Sequence, residues 1–344
     1  MDTKIVRINE ETEYSEQLTE ASEIILAGGT VVFPTETVYG LGGNGLLADA
    51  AQKIYAAKGR PSDNPLIIHI AEPKDAEKYA FVSEAYYRLA EAFMPGPLTV
   101  IMPKRECIPL SVTGGLDTVA VRCPSHPIAH ELIKKCGIPI AAPSANISGR
   151  PSPTSAKYVE EDMVGRVNMI IDGGECEIGL ESTIVKIDGN SLTLLRPGAI
   201  TYDALLCVCD DVKIAPAVID KLAENEKPLS PGMKYKHYAP NADLVLLDGN
   251  DEDVLSFLIS EQKNSGCAVL CYNEEYGYLT PSLSISIGDR DDLSTQAKKL
   301  FTSLREADKL GATKIYAHLP KLDGLGLALY NRMIRAAAHT IKKI

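Results

Sequence analysis

At 344 residues the chain exceeds a comfortable single hydrophobic core, and its 45% hydrophobic and 24% charged composition is that of a folded globular protein rather than a disordered one. The formal net charge of −11 argues against general nucleic-acid binding driven by counterion release, and no apolar run reaches the length of a bilayer-spanning segment. Glu10, Glu11, Glu13, Glu16 and Glu20 make the first twenty residues unlike a secretory or transit peptide, so a cytoplasmic location is expected.

In chain order, Thr30–Pro34 reads as a strand, Ala48–Ala57 as a helix and Leu66–Ile70 as a buried strand. Ser83–Phe93 has helical periodicity, and Leu98–Met102, Thr118–Arg122, Pro139–Ala142, Val167–Ile171, Thr183–Ile187 and Leu192–Leu195 read as strands. Pro-Gly-Pro at 95–97, Thr-Gly-Gly at 113–115 and Asp-Gly-Gly at 172–174 punctuate them. Cys207 and Cys209, one residue apart in an apolar run, suit a strand with both side chains on one face. The segment SPGMKYKHYAP at 230–240 reads as a linker, with Pro near both ends and closely spaced Lys and Tyr. After it, Leu244–Leu247, Ala268–Cys271 and Lys314–Ala317 read as strands, and Glu252–Gln262, Leu293–Ala307 and Ala328–Ile341 as helices, a small open α/β unit of Rossmann-like character. The expected domains are 1–209 and 242–344, joined by a linker at 210–241.

The eight cysteines include no Cys-x-x-Cys pair, and His126 and His130, at i, i+4 spacing, have no carboxylate or cysteine to complete a metal set. Gly40-Leu-Gly42-Gly-Asn-Gly45 fits the dinucleotide fingerprint, with Glu72 at the end of the next strand. Against that reading, Pro34–Tyr39 separates the preceding strand from the glycines. No Gly-Lys dipeptide occurs, so a Walker-type phosphate loop is excluded. Residues 53–150 hold twelve Lys or Arg against nine Asp or Glu, a local excess that suits an anionic ligand.

Polar residues recur at strand ends and at glycine-proline corners. Thr35, Glu36, Thr37 and Tyr39 lie in PTETVYGLG, Lys58 and Arg60 in KGRP, Asn64 in DNPL and His69 in LIIH. Thr118 and Arg122 bracket TVAVR, Ser144 and Asn146 lie in AAPSAN, Ser152 in RPSPT, Ser182 in ESTIV and Arg196 in LRPG. Ligands of open α/β sheets bind beyond strand ends, so these residues could converge on one crevice, with Arg and Lys complementing phosphate charge. Taken singly, Thr35 and Ser182 also fit ordinary turn hydroxyls, His69 a core histidine, and Lys58 and Arg60 partners of a helix C-terminus.

Together, PTETVYGLG, KGRP, PLIIH, MPGPLT, VAVRCPSHP, AAPSANISGRPSPT, GLESTIV and LRPG resemble, in order across 33–198, the YrdC-like threonylcarbamoyl-AMP synthases. Met94 stands where that family commonly has Trp, and SPGMKYKHYAP with the α/β unit after it looks like the long, two-domain form. The resemblance implies an N-terminal YrdC-like twisted mixed sheet with helices, and a smaller C-terminal Rossmann-like α/β domain. It implies condensation of L-threonine, bicarbonate or CO2, and ATP to threonylcarbamoyl-AMP and pyrophosphate, with Mg2+ accompanying ATP and no dedicated protein metal site. The adenylate then supplies the modification of adenosine beside the anticodon, so tRNA and a downstream threonylcarbamoyl-transfer complex are further implied partners. By resemblance, Thr35, His69, Arg122 and Ser182 fall to threonine, and Lys58 and Arg60 to the reacting region. Arg60, Asn64, Thr118, Ser144, Ser152, Arg196 and Tyr238 fall to ATP. Lys234, Tyr235, His237 and Tyr238 fit a lid over the nucleotide. Two other readings stay open at this level: an RNA-binding module, and a carbamoyl-phosphate-dependent relative that forms carbamoyl-AMP.

Overall fold

The computed structural model describes residues 1–8, 15–220, 238–265 and 267–344. They fall into two compact units: one built from 1–148, 153–177 and the described residues from 181 to 220, the other from 149–152, 178–180 and the described residues from 238 onward. No helix among the described residues is long and apolar enough to cross a membrane.

In the first unit the elements run β1 (Lys4–Arg7), α1 (Ser15–Leu26), β2 (Val31–Phe33), β3 (Gly40–Asn44), α2 (Ala48–Lys58), β4 (Ile67–His69), α3 (Glu84–Phe93), β5 (Leu98–Pro103) and β6 (Thr118–Arg122). They continue with α4 (Pro127–Cys136), β7 (Ile140–Ala142), α5 (Ala156–Met163), β8 (Met169–Asp172), β9 (Thr183–Asp188), β10 (Ser191–Arg196), α6 (Tyr202–Leu206) and β11 (Val212–Ile214). The strands form one mixed sheet in the order β1-β8-β2-β3-β7-β4-β6-β5-β9-β10-β11. β4 and β6 are parallel, whereas β7 and β5, which flank that pair, are antiparallel to it. This mixed α/β architecture is the one expected of the N-terminal region. Within the expected linker span, Val212–Ile214 pairs with β10 as the sheet's edge strand.

Residues Leu18, Ala21 and Ile25 of α1 and Ile128, Ala129, Leu132, Ile133 and Cys136 of α4 bury one apolar cluster with Val31, Phe33, Ile140, Ala142, Met169 and Ile171 of the strands. The helix ends follow local chemistry. Pro127 occupies the first turn of α4, His126 Nδ1 accepts from the Ile128 amide at 3.2 Å, and Gly137 terminates the helix in the left-handed region at φ 64°. Gly59 ends α2 in the same way at φ 62°.

The glycines of the apparent dinucleotide fingerprint, a reading already disfavoured by Pro34–Tyr39, are themselves a strand, β3, rather than a phosphate-binding turn. A Cβ on Gly42 would come within 2.6 Å of Phe33 Cε1 and 2.7 Å of Ile140 Cγ2, so glycine here lets two core side chains close over the backbone. Cys207 and Cys209 do not lie on a strand: Thr201 caps α6 by accepting from the Ala204 amide, and the helix runs up to Cys207. All eight cysteines are free thiols.

The second unit comprises β12 (Asp243–Asp248), α7 (Asp251–Ser265), β13 (Ala268–Cys271), α8 (Asn273–Tyr276), β14 (Ser284–Ser286), α9 (Leu293–Lys309), β15 (Lys314–His318), α10 (Gly326–Ala336) and β16 (Ile341–Lys343). All strand pairs are parallel, in the order β14-β13-β15-β12-β16. The four residues of β13 are all buried, as a parallel strand covered on both faces requires. The expected helix over Ala328–Ile341 stops at Ala336. Ala338 and His339 take positive φ, and the chain then enters β16 beside β12.

Replacing Gly42 by Ala should lower the unfolding free energy by about 1–3 kcal/mol through overpacking against Phe33 and Ile140. Urea denaturation followed by circular dichroism measures it, and an unchanged midpoint would show that the core yields there without strain.

Candidate active site

The register of the central strands brings polar side chains to one level of one face. His69 of β4 is paired with Ile140 of β7 on one side and Arg122 of β6 on the other, and Arg122 is paired with Thr99 of β5. Directly paired residues project from the same face. Ile140 belongs to the cluster under α1 and α4, so His69, Arg122 and Thr99 continue that face beside the helix-covered patch. Ser182, just before β9, joins them, with its hydroxyl 2.7 Å from Thr99 Oγ1. Arg196, at the end of β10, donates through Nε to the Ser182 carbonyl at 3.0 Å and through Nη2 to the Ser182 hydroxyl at 3.1 Å.

Arg122 is 4% exposed, and its Nη2 donates to Glu36 Oε1 at 2.7 Å. Glu36, also 4% exposed, arrives from the connection between β2 and β3. Thr35 shapes that connection: its hydroxyl accepts from the Thr37 and Val38 amides at 3.2 and 3.3 Å and donates to the Val38 carbonyl at 2.6 Å. Arg122 Nη2 lies 3.5 Å from the same hydroxyl. Thr35 is thus a turn-forming residue and a neighbour of Arg122 at once.

His69 is held neutral. Burial, then the positive charge of Arg122, lowers its pKa to about 3. Its Nδ1 lies 3.3 Å from the Ile140 carbonyl, and the Ile67 carbonyl also acts on the ring. A histidine so weakly basic is uncharged at neutral pH and a poor proton acceptor. Phe33 meets its ring edge-on at 6.2 Å between centroids.

A second group gathers where α2 ends. Lys58, 2% exposed, donates to the Ser144 carbonyl at 2.5 Å, the Asn146 carbonyl at 2.6 Å and Asn146 Oδ1 at 3.2 Å, tying the helix end to the segment after β7. The Ser144 hydroxyl donates to Asn146 Oδ1 at 2.5 Å. Arg60 Nη2 donates to the Asn64 and Pro65 carbonyls at 3.2 and 2.9 Å, and Tyr55, its phenol pushed up to about 12 by burial, also bonds the Asn64 carbonyl. Asn64 Oδ1 is buried and has no partner among the described residues. The Ala145 amide donates to the Tyr39 carbonyl at 2.8 Å, which joins this group to the Thr35 connection. Thr118 opens β6, four residues before Arg122, so a strand rise of about 3.3 Å per residue puts it roughly 13 Å away along the same face.

Ser152 and Tyr238 fall in the second unit. There the Ala239 amide donates to the Gly149 carbonyl, Arg305 donates to the Pro151 carbonyl, and the Tyr238 ring stacks on Phe301 at 5.1 Å. Lys234, Tyr235 and His237 lie outside the described residues. Thr99 escaped the selection made from sequence, and Glu36, although named among the strand-end polar residues, was given no role there. The signal for Glu36 was a lone carboxylate in an otherwise uncharged run just after a buried strand; Thr99 gave none beyond a hydroxyl inside an apolar strand. Elsewhere, a cavity of about 560 Å³ lined by Lys53, Arg166 and Asn168 lies away from these groups. Its two cations donate to the Gly28 and Ala57 carbonyls at helix ends, a structural use.

A mixed sheet carrying buried guanidinium groups, a neutral imidazole and hydroxyls on one face defines an α/β enzyme built to hold a small, anion-bearing substrate. The comparisons with known proteins agree. A Sua5/YciO/YrdC family model, described as telomere recombination, matches residues 23–198, and the threonylcarbamoyl-AMP synthase C-terminal domain model matches 200–338. Threonylcarbamoyl-AMP synthases of Pyrococcus abyssi and Bacillus subtilis are each 44% identical, covering 94% and 93% of this chain and 95% and 93% of their own. The crystal structure of P. abyssi Sua5 complexed with L-threonine superposes with a TM-score of 0.90 at 43% identity, over 99% of this chain and all of that one. The chain belongs to the threonylcarbamoyl-AMP synthase family, as its ordered motifs indicated, and is an enzyme of the nucleotidyltransferase type.

Because the folded pKa of His69 is depressed below its unfolded value near 6.5, its stabilising contribution is complete above about pH 6.5 and is lost as pH falls toward 3. His69→Gln should therefore flatten the acid limb of stability against pH by up to about 1.4 kcal/mol per pH unit. Urea titrations of both proteins at pH 7, 6 and 5 measure this, and parallel slopes would contradict a neutral buried His69.

Proposed function

We propose that this chain condenses L-threonine, bicarbonate or CO2, and ATP into L-threonylcarbamoyl-AMP, releasing pyrophosphate. The observation that carries the reading is the buried row of His69, Arg122, Thr99 and Ser182, in a chain whose P. abyssi relative is described as complexed with L-threonine. Arg122 would pair with the threonine carboxylate. Thr35, Ser182 and the neutral His69 would border the amino acid.

Lys58 and Arg60 would lie by the reacting carbamate and phosphate, with Arg60, Asn64, Thr118, Ser144 and Arg196 toward ATP. Ser152 and Tyr238 of the second unit are proposed ATP contacts as well. A carbamate oxygen attacking the α-phosphorus needs no covalent enzyme nucleophile. The chain's own thiols support that economy: burial pushes Cys123 and Cys176 up to about 12, far from the thiolate form. Catalysis then rests on positioning and charge stabilisation.

Mg2+ is proposed to accompany ATP. The ion would neutralise part of the charge of the phosphate oxygens. The product would serve as threonylcarbamoyl donor for the adenosine beside the anticodon of tRNA, with transfer performed by other proteins.

Pyrophosphate release from ATP and bicarbonate, assayed with each of the twenty amino acids, should require threonine, and Arg122→Ala should raise the threonine KM by about 30-fold or more. Release driven by carbamoyl phosphate instead, or tRNA binding without amino-acid-dependent release, would replace this reading with the carbamoyl-phosphate or RNA-binding alternative.

A further inference from the structure

The Glu36–Arg122 pair is satisfied on one side only. Glu36 Oε1 accepts from Arg122 Nη2, but Glu36 Oε2 and Arg122 Nε, both buried, have no hydrogen-bond partner among the described residues. A buried polar atom left in this way costs about 1–3 kcal/mol, and more when its group is charged. The Thr35 turn holds the carboxylate there through bonds to two amides and a carbonyl. The ionisable groups nearby are His126, whose proton affinity is lowered by burial against the opposing pull of Glu36 and Glu177, and the buried thiols Cys123 and Cys176.

A carboxylate beside Arg122 works against a ligand that offers only an anion, because it already draws on the charge meant for that anion. It helps a ligand that carries both signs on neighbouring atoms. We infer that Glu36 is a substrate-binding residue, its Oε2 receiving the α-ammonium group of the amino acid while Arg122 Nε donates to the α-carboxylate. The ion pair then reads the zwitterion as a unit and fixes the nitrogen that becomes carbamoylated. The inference rests on the proposed function and adds a residue and a selectivity rule to it: an unmodified α-amino group is required for binding as well as for chemistry.

The test uses the full chain, Glu36→Gln and Glu36→Asp, and 2,3-dihydroxybutanoate, the analogue with a hydroxyl in place of the amine. Glu36→Gln keeps an acceptor for Arg122 and loses the charge. The wild type should prefer threonine to the hydroxy acid by about 30-fold or more, comparing KM with the inhibition constant at saturating ATP. Glu36→Gln should lose most of that preference by raising the threonine KM, with hydroxy-acid inhibition and calorimetric ATP affinity little changed. Glu36→Asp, which keeps the charge, should retain the preference even if both ligands bind more weakly. Equal losses for threonine and the hydroxy acid in Glu36→Gln would reduce Glu36 to a prop for Arg122 and overturn the inference, as would a wild type with no preference. If Glu36→Gln does not fold, the wild-type ratio and Glu36→Asp decide the matter. Failure of the underlying function is distinguishable, because wild-type pyrophosphate release would then not depend on threonine at all.

Discussion

The site is organised around a guanidinium removed from water. Arg122 stands at the end of a central strand with His69 and Thr99 as its lateral neighbours, so its charge must be met by groups that the fold itself brings there. An unpaired charge at that depth would cost several kcal/mol, and the Glu36 carboxylate is the counter-charge. Supplying it requires the connection after β2 to turn back over the sheet, which Thr35 secures through three local hydrogen bonds. It also requires the backbone of β3 to sit close beneath Phe33, which only glycine at position 42 allows. The neutrality of His69 is a further consequence: burial is its main cause, and the adjacent positive charge adds to it.

Much of this was legible in the residues, though unevenly. Strand Thr118–Arg122 stood out as an apolar β-run bounded by polar ends, and both its bounds hold. The glycine run at 40–45 could be set aside as a dinucleotide fingerprint but not read as a strand, because glycine is permissive in turns and in close-packed strands alike; which applied depended on Phe33 and Ile140. Lys58 and Arg60 could be read as helix-end partners or as ligand contacts. The structure shows Lys58 bonded to the segment after β7, a partner 86 residues away that no local pattern reveals. Thr99 and Glu36 matter because of what lies across the sheet from them. In the second unit, the final strand was hidden because Ala338 and His339 leave the helix at positive φ with no Gly or Pro to mark the break.

Two buried positive charges of the first unit are held differently. Arg122 meets one oxygen of a formal anion through Nη2, and its buried Nε has no hydrogen-bond partner among the described residues. Lys58 is surrounded by carbonyl and amide oxygens of Ser144 and Asn146. These three acceptors are neutral dipoles that help to solvate the ammonium. The planar, forked group is suited to geometric recognition of a carboxylate, whereas the compact ammonium acts as a source of potential that need not touch the atoms it stabilises.

That difference bears on the proposed chemistry: if ATP binds beside Lys58 as proposed, a fixed ammonium in a low-dielectric setting would stabilise negative charge on the phosphates without reorganising. The same hydrogen bonds that immobilise Lys58 order the Ser144–Asn146 segment, and the Ala145 amide passes that order to the Tyr39 carbonyl and so to the connection bearing Glu36. The Lys58 group and the connection bearing Glu36 are therefore linked mechanically in the first unit. A change at Lys58 should be felt at Glu36 through backbone hydrogen bonds, without any direct contact between the two side chains.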